Sequence, residues 1–434
     1  MGQLARAALL VFCKELARVE VMSTRLSATT AATCVALFAG GCATTSFKAP
    51  TFNASTVDGA VKASNAFGFD FYHQARAGQE NFVCSPVGAA IALTMTAAGA
   101  RGETQAEMLH TLHINPTNLD QTYSSFAAIL AALKSRDGED GLVMNVADRV
   151  WVQKDLKLWP DYVSLLRDGF VAPLAEVDFK TNSEAALLAI NQWASDETHG
   201  RIPQILAKLD KAVRMVLANA VYMTGEWQHP FEERATYDGK FTTANKEITV
   251  GMMRQLSGFR YADVRGAKLV ELPYKGGLSM IVALPSDIDS LDEIEDRLGG
   301  SYADWIGALK YREVDLELPR FTVTTDLPLI PLLTAMGIRL AFAPGRADFS
   351  GMTAEVKLYI GDAIQKAWIE TNEKGTEAAA VTAIEMYNVP IRAIDGPPPP
   401  PPVIFHANHP FMYLIRDVKS GAILFVGRVV KPAQ

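Results

Sequence analysis

The chain has 434 residues, 49% of them hydrophobic, and a formal net charge of −7. That much apolar material can bury a substantial core, as one large domain or two average ones. The negative balance, with no run of Lys and Arg, excludes a global attraction for nucleic acid or for anionic membrane.

The chain opens on a candidate leader. Residues 26–41 are apolar and small after Arg25, and they end in Leu37-Phe38-Ala39-Gly40-Gly41-Cys42. This predicts a signal peptide over residues 1–41, with Met22 as an alternative start. Ending on Cys42 is similar to a bacterial lipoprotein signal, in which that Cys is lipidated and anchors the chain. A plainly cleaved leader is the alternative, and either one predicts export to the cell envelope or the extracellular space. Residues 42–57, rich in Ala, Thr and Ser, are predicted to be a tether. Cys13, Cys34 and Cys42 all fall in or at the end of the leader, which leaves Cys84 alone in the globular part. No disulfide within the fold is expected, and Cys84 reads as a small buried residue.

From Asp58 onward no change of composition marks a boundary, so residues 58–434 are predicted to be one domain. Ser85-Pro86 followed by the Ala-rich run Gly88–Gly99 predicts a helix with Pro at an early position. Leu187, Ile190, Trp193 and Ala194 are spaced for one face of a helix over Ser183–Thr198. Leu269–Leu284 predicts two strands around Lys275-Gly276-Gly277. Val314, Leu316 and Leu318 alternate with Asp315 and Glu317, a half-buried strand. Phe411–Ile415, a turn over Asp417–Gly421 and Ile423–Val430 predict a closing hairpin. Pro397–Pro402 must be extended and cannot enter a sheet interior. The class is α+β.

No enzyme signature emerges. The seven histidines form no H-E-x-x-H, and no G-x-S-x-G or phosphate-binding glycine loop occurs. His110 with His113 and His406 with His409 lack a third ligand, so neither metal nor cofactor is expected.

Residues 373–386 read Glu-Lys-Gly-Thr-Glu-Ala-Ala-Ala-Val-Thr-Ala-Ile-Glu-Met. Ala and Glu favour a helix here. As a strand, the segment would carry Thr376, Ala378, Ala380, Thr382, Ile384 and Met386 on one uncharged face. Glu377 and Glu385 would fall on the other. Gly375 would supply a hinge. Local pattern leaves both states open.

The segment resembles the reactive-centre loop hinge of the serpin family. Further resemblances follow in the family's order: Asn81–Met108, Asn191-Gln192-Trp193, Asn219-Ala220-Val221-Tyr222, Gly225-Glu226-Trp227, Leu318-Pro319-Arg320-Phe321, Ala347–Met352, His409-Pro410-Phe411 and Leu424–Arg428. The resemblance implies one domain with three β-sheets, surrounding helices and an exposed loop over about residues 373–404. It implies a suicide-substrate inhibitor of serine, or else cysteine, endopeptidases rather than an enzyme. The cut loop would enter the main sheet and trap the acyl-enzyme. A non-inhibitory binding protein or chaperone of the same fold is the alternative.

Residue by residue, the hinge would be Glu373, Gly375, Thr376, Ala378, Ala379 and Ala380. Arg320 would pair with Glu373, and Trp227 would stand where insertion begins. Asn81, Ser85 and Asn219 would lie where the sheet parts. Gly88 and Gln365 depart from the usual Ser and His there. The family offset places the scissile bond at Val389–Pro390, with Tyr387, Asn388 and Arg392 as alternatives. The implied partner is a chymotrypsin-, elastase- or subtilisin-like protease, met by a monomer.

Overall fold

The structure, a computed structural model, describes residues 54–135, 142–170, 172, 174–376 and 400–432. The leader, Cys42, most of the tether and residues 377–399 lie outside the described residues. Among the described residues the α-helices are α1 (Ala54–Ala75), α2 (Pro86–Gly99), α3 (Gly102–Thr111), α4 (Leu119–Lys134), α5 (Pro160–Ser164), α6 (Ser183–Glu197), α7 (Leu291–Asp296), α8 (Leu298–Ala308) and α9 (Leu329–Ala335). The first begins at Ala54, inside the segment expected to be a tether, because Phe67, Phe71 and Tyr72 further along it are fully buried.

The strands are β1 (Phe82–Cys84), β2 (Val143–Gln153), β3 (Ala175–Val177), β4 (Met215–Glu226), β5 (Tyr237–Thr242), β6 (Glu247–Val264), β7 (Ala267–Pro273) and β8 (Leu278–Pro285). They continue as β9 (Lys310–Pro319), β10 (Phe321–Pro328), β11 (Asp362–Thr371), β12 (Gly375–Thr376), β13 (Val403–His406), β14 (Phe411–Asp417) and β15 (Ile423–Val429). The helix after Ser85, the hairpin β7–β8 and the closing hairpin β14–β15 stand where the sequence places them.

Among the described residues the strands pair into two hydrogen-bonded networks. A six-stranded sheet runs β10-β11-β12-β4-β2-β3, and a nine-stranded one runs β1-β15-β14-β8-β7-β6-β9-β13 with β5 on β6. The long strand β6 joins what would otherwise be two sheets. Its Met252–Tyr261 stretch pairs with β9, while Arg260–Val264 pairs with β7.

The six-stranded sheet is covered on both faces. Along β4, Val216, Ala218, Ala220 and Tyr222 pack with α6 through Ile190 and Trp193. The alternate residues Met215, Leu217, Val221 and Met223 face the main core. Strand β4 is therefore apolar nearly throughout, as a strand buried on both sides must be. Helix α2 lies in the main core with every residue buried. Ser85 caps it, Pro86 fits its first turn, and its Ala and Gly side chains permit close approach to β2 and β4.

Cys84 is fully buried, and burial pushes its thiol well above the usual range. We expect Cys84 to resist alkylation in the native protein and to react fully in denaturant, as read by mass spectrometry of its peptide.

Candidate functional site at the head of the six-stranded sheet

Strands β4 and β11 run parallel and pair directly from Asp362↔Val216 to Trp368↔Tyr222. Above that seam β11 turns back on itself. Asn372 N–H donates to the Gly375 carbonyl at 2.8 Å, and Gly375 N–H donates to the Asn372 carbonyl at 3.3 Å. The returning pair β12 lies antiparallel to both neighbours, with Thr376 opposite Thr371 and Gly225. The chain thus enters the seam from the top by two residues. A Cβ added at Gly375 would fall on the Gly225 carbonyl oxygen, so only glycine fits there.

Glu373 sits in the turn, 4% exposed. Arg320 Nε donates to its carboxylate at 2.7 Å and Thr236 Oγ1 at 2.5 Å, while Phe231 N–H donates to its backbone carbonyl at 2.8 Å. Burial works to raise the Glu373 carboxyl, but the bonds from Arg320 and Thr236 outweigh it and the net shift is downward. Trp227 closes the other side. Its indole N–H donates to the Asn372 carbonyl at 3.0 Å and its backbone N–H to the Lys374 carbonyl at 2.8 Å. Its ring stacks on Tyr274 at 4.3 Å, and the Tyr274 hydroxyl meets the Thr376 hydroxyl at 2.8 Å. Thr376 is fully buried, on the core side of the sheet.

A second cluster lies lower, on the core side of the seam. Gln365 Oε1 accepts from Ser85 N–H at 2.9 Å, and its amide donates to the Ser85 carbonyl at 2.8 Å and to Asn219 Oδ1 at 2.6 Å. Asn219 Nδ2 donates in turn to Asp148 Oδ1 at 2.6 Å. A side chain at Gly88 would approach that amide to 2.6 Å, which accounts for glycine where the family often has Ser. Gln365 fills the place of the usual His with a side chain that both donates and accepts, so the strand-to-strand link is kept.

Ser85, Asn219, Trp227, Arg320, Glu373, Gly375 and Thr376 therefore occupy the two clusters along β4 and β11. Asn81 does not join them. Its side chain accepts from Val430 N–H and Lys431 N–H, both at 2.9 Å, and donates to the Lys431 carbonyl at 2.6 Å, so it ties down the C-terminal segment instead. Ala378, Ala379, Ala380, Tyr387, Asn388, Val389, Pro390 and Arg392 lie outside the described residues. Sequence reasoning missed Asp148 and Tyr274. A carboxylate on the apolar row Val146, Val150 and Val152 was the available sign of the first.

The family model described as Serpin (serine protease inhibitor) matches residues 62–432. The chain belongs to the serpin family. Among similar relatives, an uncharacterized serpin-like protein of Thermococcus kodakarensis is 34% identical over 375 residues, spanning 86% of this chain and 85% of that one. The human leukocyte elastase inhibitor is 34% identical over 365 residues, 81% of this serpin and 93% of its relative. The solved structure of a highly specific serpin from the insect Tenebrio molitor superposes with a TM-score of 0.77 at 27% identity, over 88% of this chain and all of that one.

Replacing Arg320 by Ala leaves the Glu373 carboxylate buried with one partner fewer, a loss of about 1–3 kcal/mol at the hinge. Trp227 fluorescence under urea should show that loss. Because the Glu373 pKa is lowered on folding, its contribution is complete above the ordinary Glu range and is lost as pH falls below about 4. Wild-type hinge stability should therefore fall on acidification through that window, whereas a Glu373→Gln variant should fall less.

Proposed function

We propose that this serpin is a suicide-substrate inhibitor of serine endopeptidases, with cysteine endopeptidases as a second target class. The protease would cut within residues 387–392 and form an acyl-enzyme. The freed strand would then enter the β4–β11 seam before deacylation.

The register of β12 carries this reading. With Thr376 opposite Thr371 and Gly225, each further residue steps one place down both strands. Ala378 would meet Ile369 and Met223, Ala380 would meet Ala367 and Val221, and Ile384 would meet Ala363 and Leu217. Thr382 would meet Gln365 and Asn219, the polar row. On the α6 side, Ala379 would arrive between Trp368 and Tyr222, whose rings are now in contact at 5.9 Å, so a small residue disturbs their packing least. From Ala378 to Ile384, small, apolar and polar residues thus fall where their environment suits them, while Glu377 at the entrance would lie opposite Glu370. Glu385 would land beside Asp362, whose carboxyl burial already raises, so favourable rows end at Ile384.

Insertion also has a driving force. A parallel ladder is somewhat weaker per residue than an antiparallel one. A strand running antiparallel to both neighbours replaces one parallel ladder with two antiparallel ones. Around ten added hydrogen bonds at about 1 kcal/mol net would supply on the order of 10 kcal/mol.

Residues 387–392 offer the bait. Val389 suits an elastase-like protease, although Pro390 after it makes that bond a poor substrate for most serine proteases. Tyr387 suits a chymotrypsin-like one, Arg392 a trypsin-like one, and Asn388 is the remaining alternative. We also propose export through residues 1–41 and tethering through a lipid on Cys42. Replacing Cys42 by Ala should release the protein from membranes, and unchanged membrane association would contradict the tether.

The test mixes the mature protein with chymotrypsin-, elastase-, trypsin- and subtilisin-like enzymes. A covalent complex that survives denaturant is expected with at least one. Cleavage by all of them without a complex would favour a non-inhibitory role instead. Thr376→Arg would place a cation in a fully buried site against Tyr274. That variant should be cut like the wild type but should lose at least tenfold in the fraction trapped.

A further inference from the structure

We propose that Asp148 is a proton-controlled latch on the seam between β4 and β11. It holds the closed sheet while its carboxyl is protonated and favours opening once the proton is lost.

The geometry is a continuous chain of hydrogen bonds. Ser85 N–H donates to Gln365, the Gln365 amide to Asn219 Oδ1, and the Asn219 amide to Asp148 Oδ1. Gln365, Asn219 and Asp148 stand in one register row across three adjacent strands. Any separation of β4 from β11 must break the Gln365–Asn219 bond of this chain. Asp148 terminates it, 7% exposed, and its other oxygen Oδ2 is buried with no hydrogen-bond partner. A carboxylate in that position leaves most of its charge unsolvated, whereas a neutral carboxyl does not.

The surroundings offer little compensation. Helices α2 and α4 pack on β2 over this row. Helix α2 carries no ionisable side chain, and Asn219 is the polar neighbour on β4. Lys134, at the end of α4, is the charged group that faces Asp148 and acts to lower its pKa. Burial outweighs it, and the carboxyl stands well above the usual Asp range.

The sign follows from linkage. Opening the seam admits water and returns Asp148 toward its ordinary pKa, so the open state binds fewer protons than the closed one. Opening must then become easier as pH rises from about 4 toward the raised pKa, by at most about tenfold per pH unit for one proton. Its use in trapping rests on the insertion reading above, while the latch itself is a property of the uncut sheet.

The test needs no protease. Amide hydrogen exchange of residues 216–222 and 362–368 reports seam opening, once corrected for the intrinsic pH dependence of exchange. Opening in the wild type should increase severalfold per pH unit above pH 5, and Asp148→Asn should abolish that slope. The same slope in both proteins would overturn the proposal. NMR of carboxyl-labelled wild-type protein gives a check free of mutation. The Asp148 carboxyl should stay protonated where exposed carboxyls have ionised, and titration near pH 4 would overturn the latch. Failure to form protease complexes would instead refute the inhibitory reading and leave these two results standing.

Discussion

The β4–β11 ladder is the constraint on which the rest depends. It is a parallel pair in the middle of a sheet whose neighbouring pairings, β10–β11 and β2–β4, are antiparallel. Parallel neighbours cannot be joined by a tight turn, and a strand running opposite to both could pair antiparallel with each once they separate. The hairpin at Asn372–Gly375 already delivers the start of such a strand. Its two residues fill the top of the gap, while the seven pairs from Asp362↔Val216 to Trp368↔Tyr222 remain closed below.

Both clusters can be understood as control over that gap. At the head, Glu373 is held by Arg320, Thr236 and the Phe231 amide, and Trp227 grips the turn through two carbonyls. These contacts fix where the strand enters and leave its direction no freedom. Lower down, the Ser85–Gln365–Asn219–Asp148 chain ties β11 to α2 and β4. A buried polar network of this kind is specific and costly to disturb. Parting the seam must break its Gln365–Asn219 bond, and the network lies in the row where, under the proposed insertion, Thr382 would arrive with a hydroxyl.

Much of the fold was legible in the sequence because its signals are local. Ser85-Pro86 starts α2, Lys275-Gly276-Gly277 turns the β7–β8 hairpin, and Asp417–Gly421 turns the last one. The hinge pair Arg320 and Glu373 came from the family resemblance, since nothing local links residues so far apart. The start of α1 was missed because Ala, Ser and Thr suit a tether and a first helical turn alike. Continuous pairing of β6 with both β9 and β7 links two of the expected sheets into one network, which local pattern could not show. Asn81 was assigned to the seam by the family resemblance of the segment Asn81–Met108. Strand β1 carries it instead to the C-terminal segment. Asp148 was overlooked because alternation shows which face a residue takes but not which polar partner waits there.

The most direct test of insertion is the stability of the cut protein. Nicking the loop between residues 387 and 392 removes one backbone connection and adds no ligand. If the freed strand enters the seam, about 10 kcal/mol of added pairing should raise the melting temperature by on the order of ten degrees. An unchanged or lowered melting temperature after complete cleavage would contradict the account.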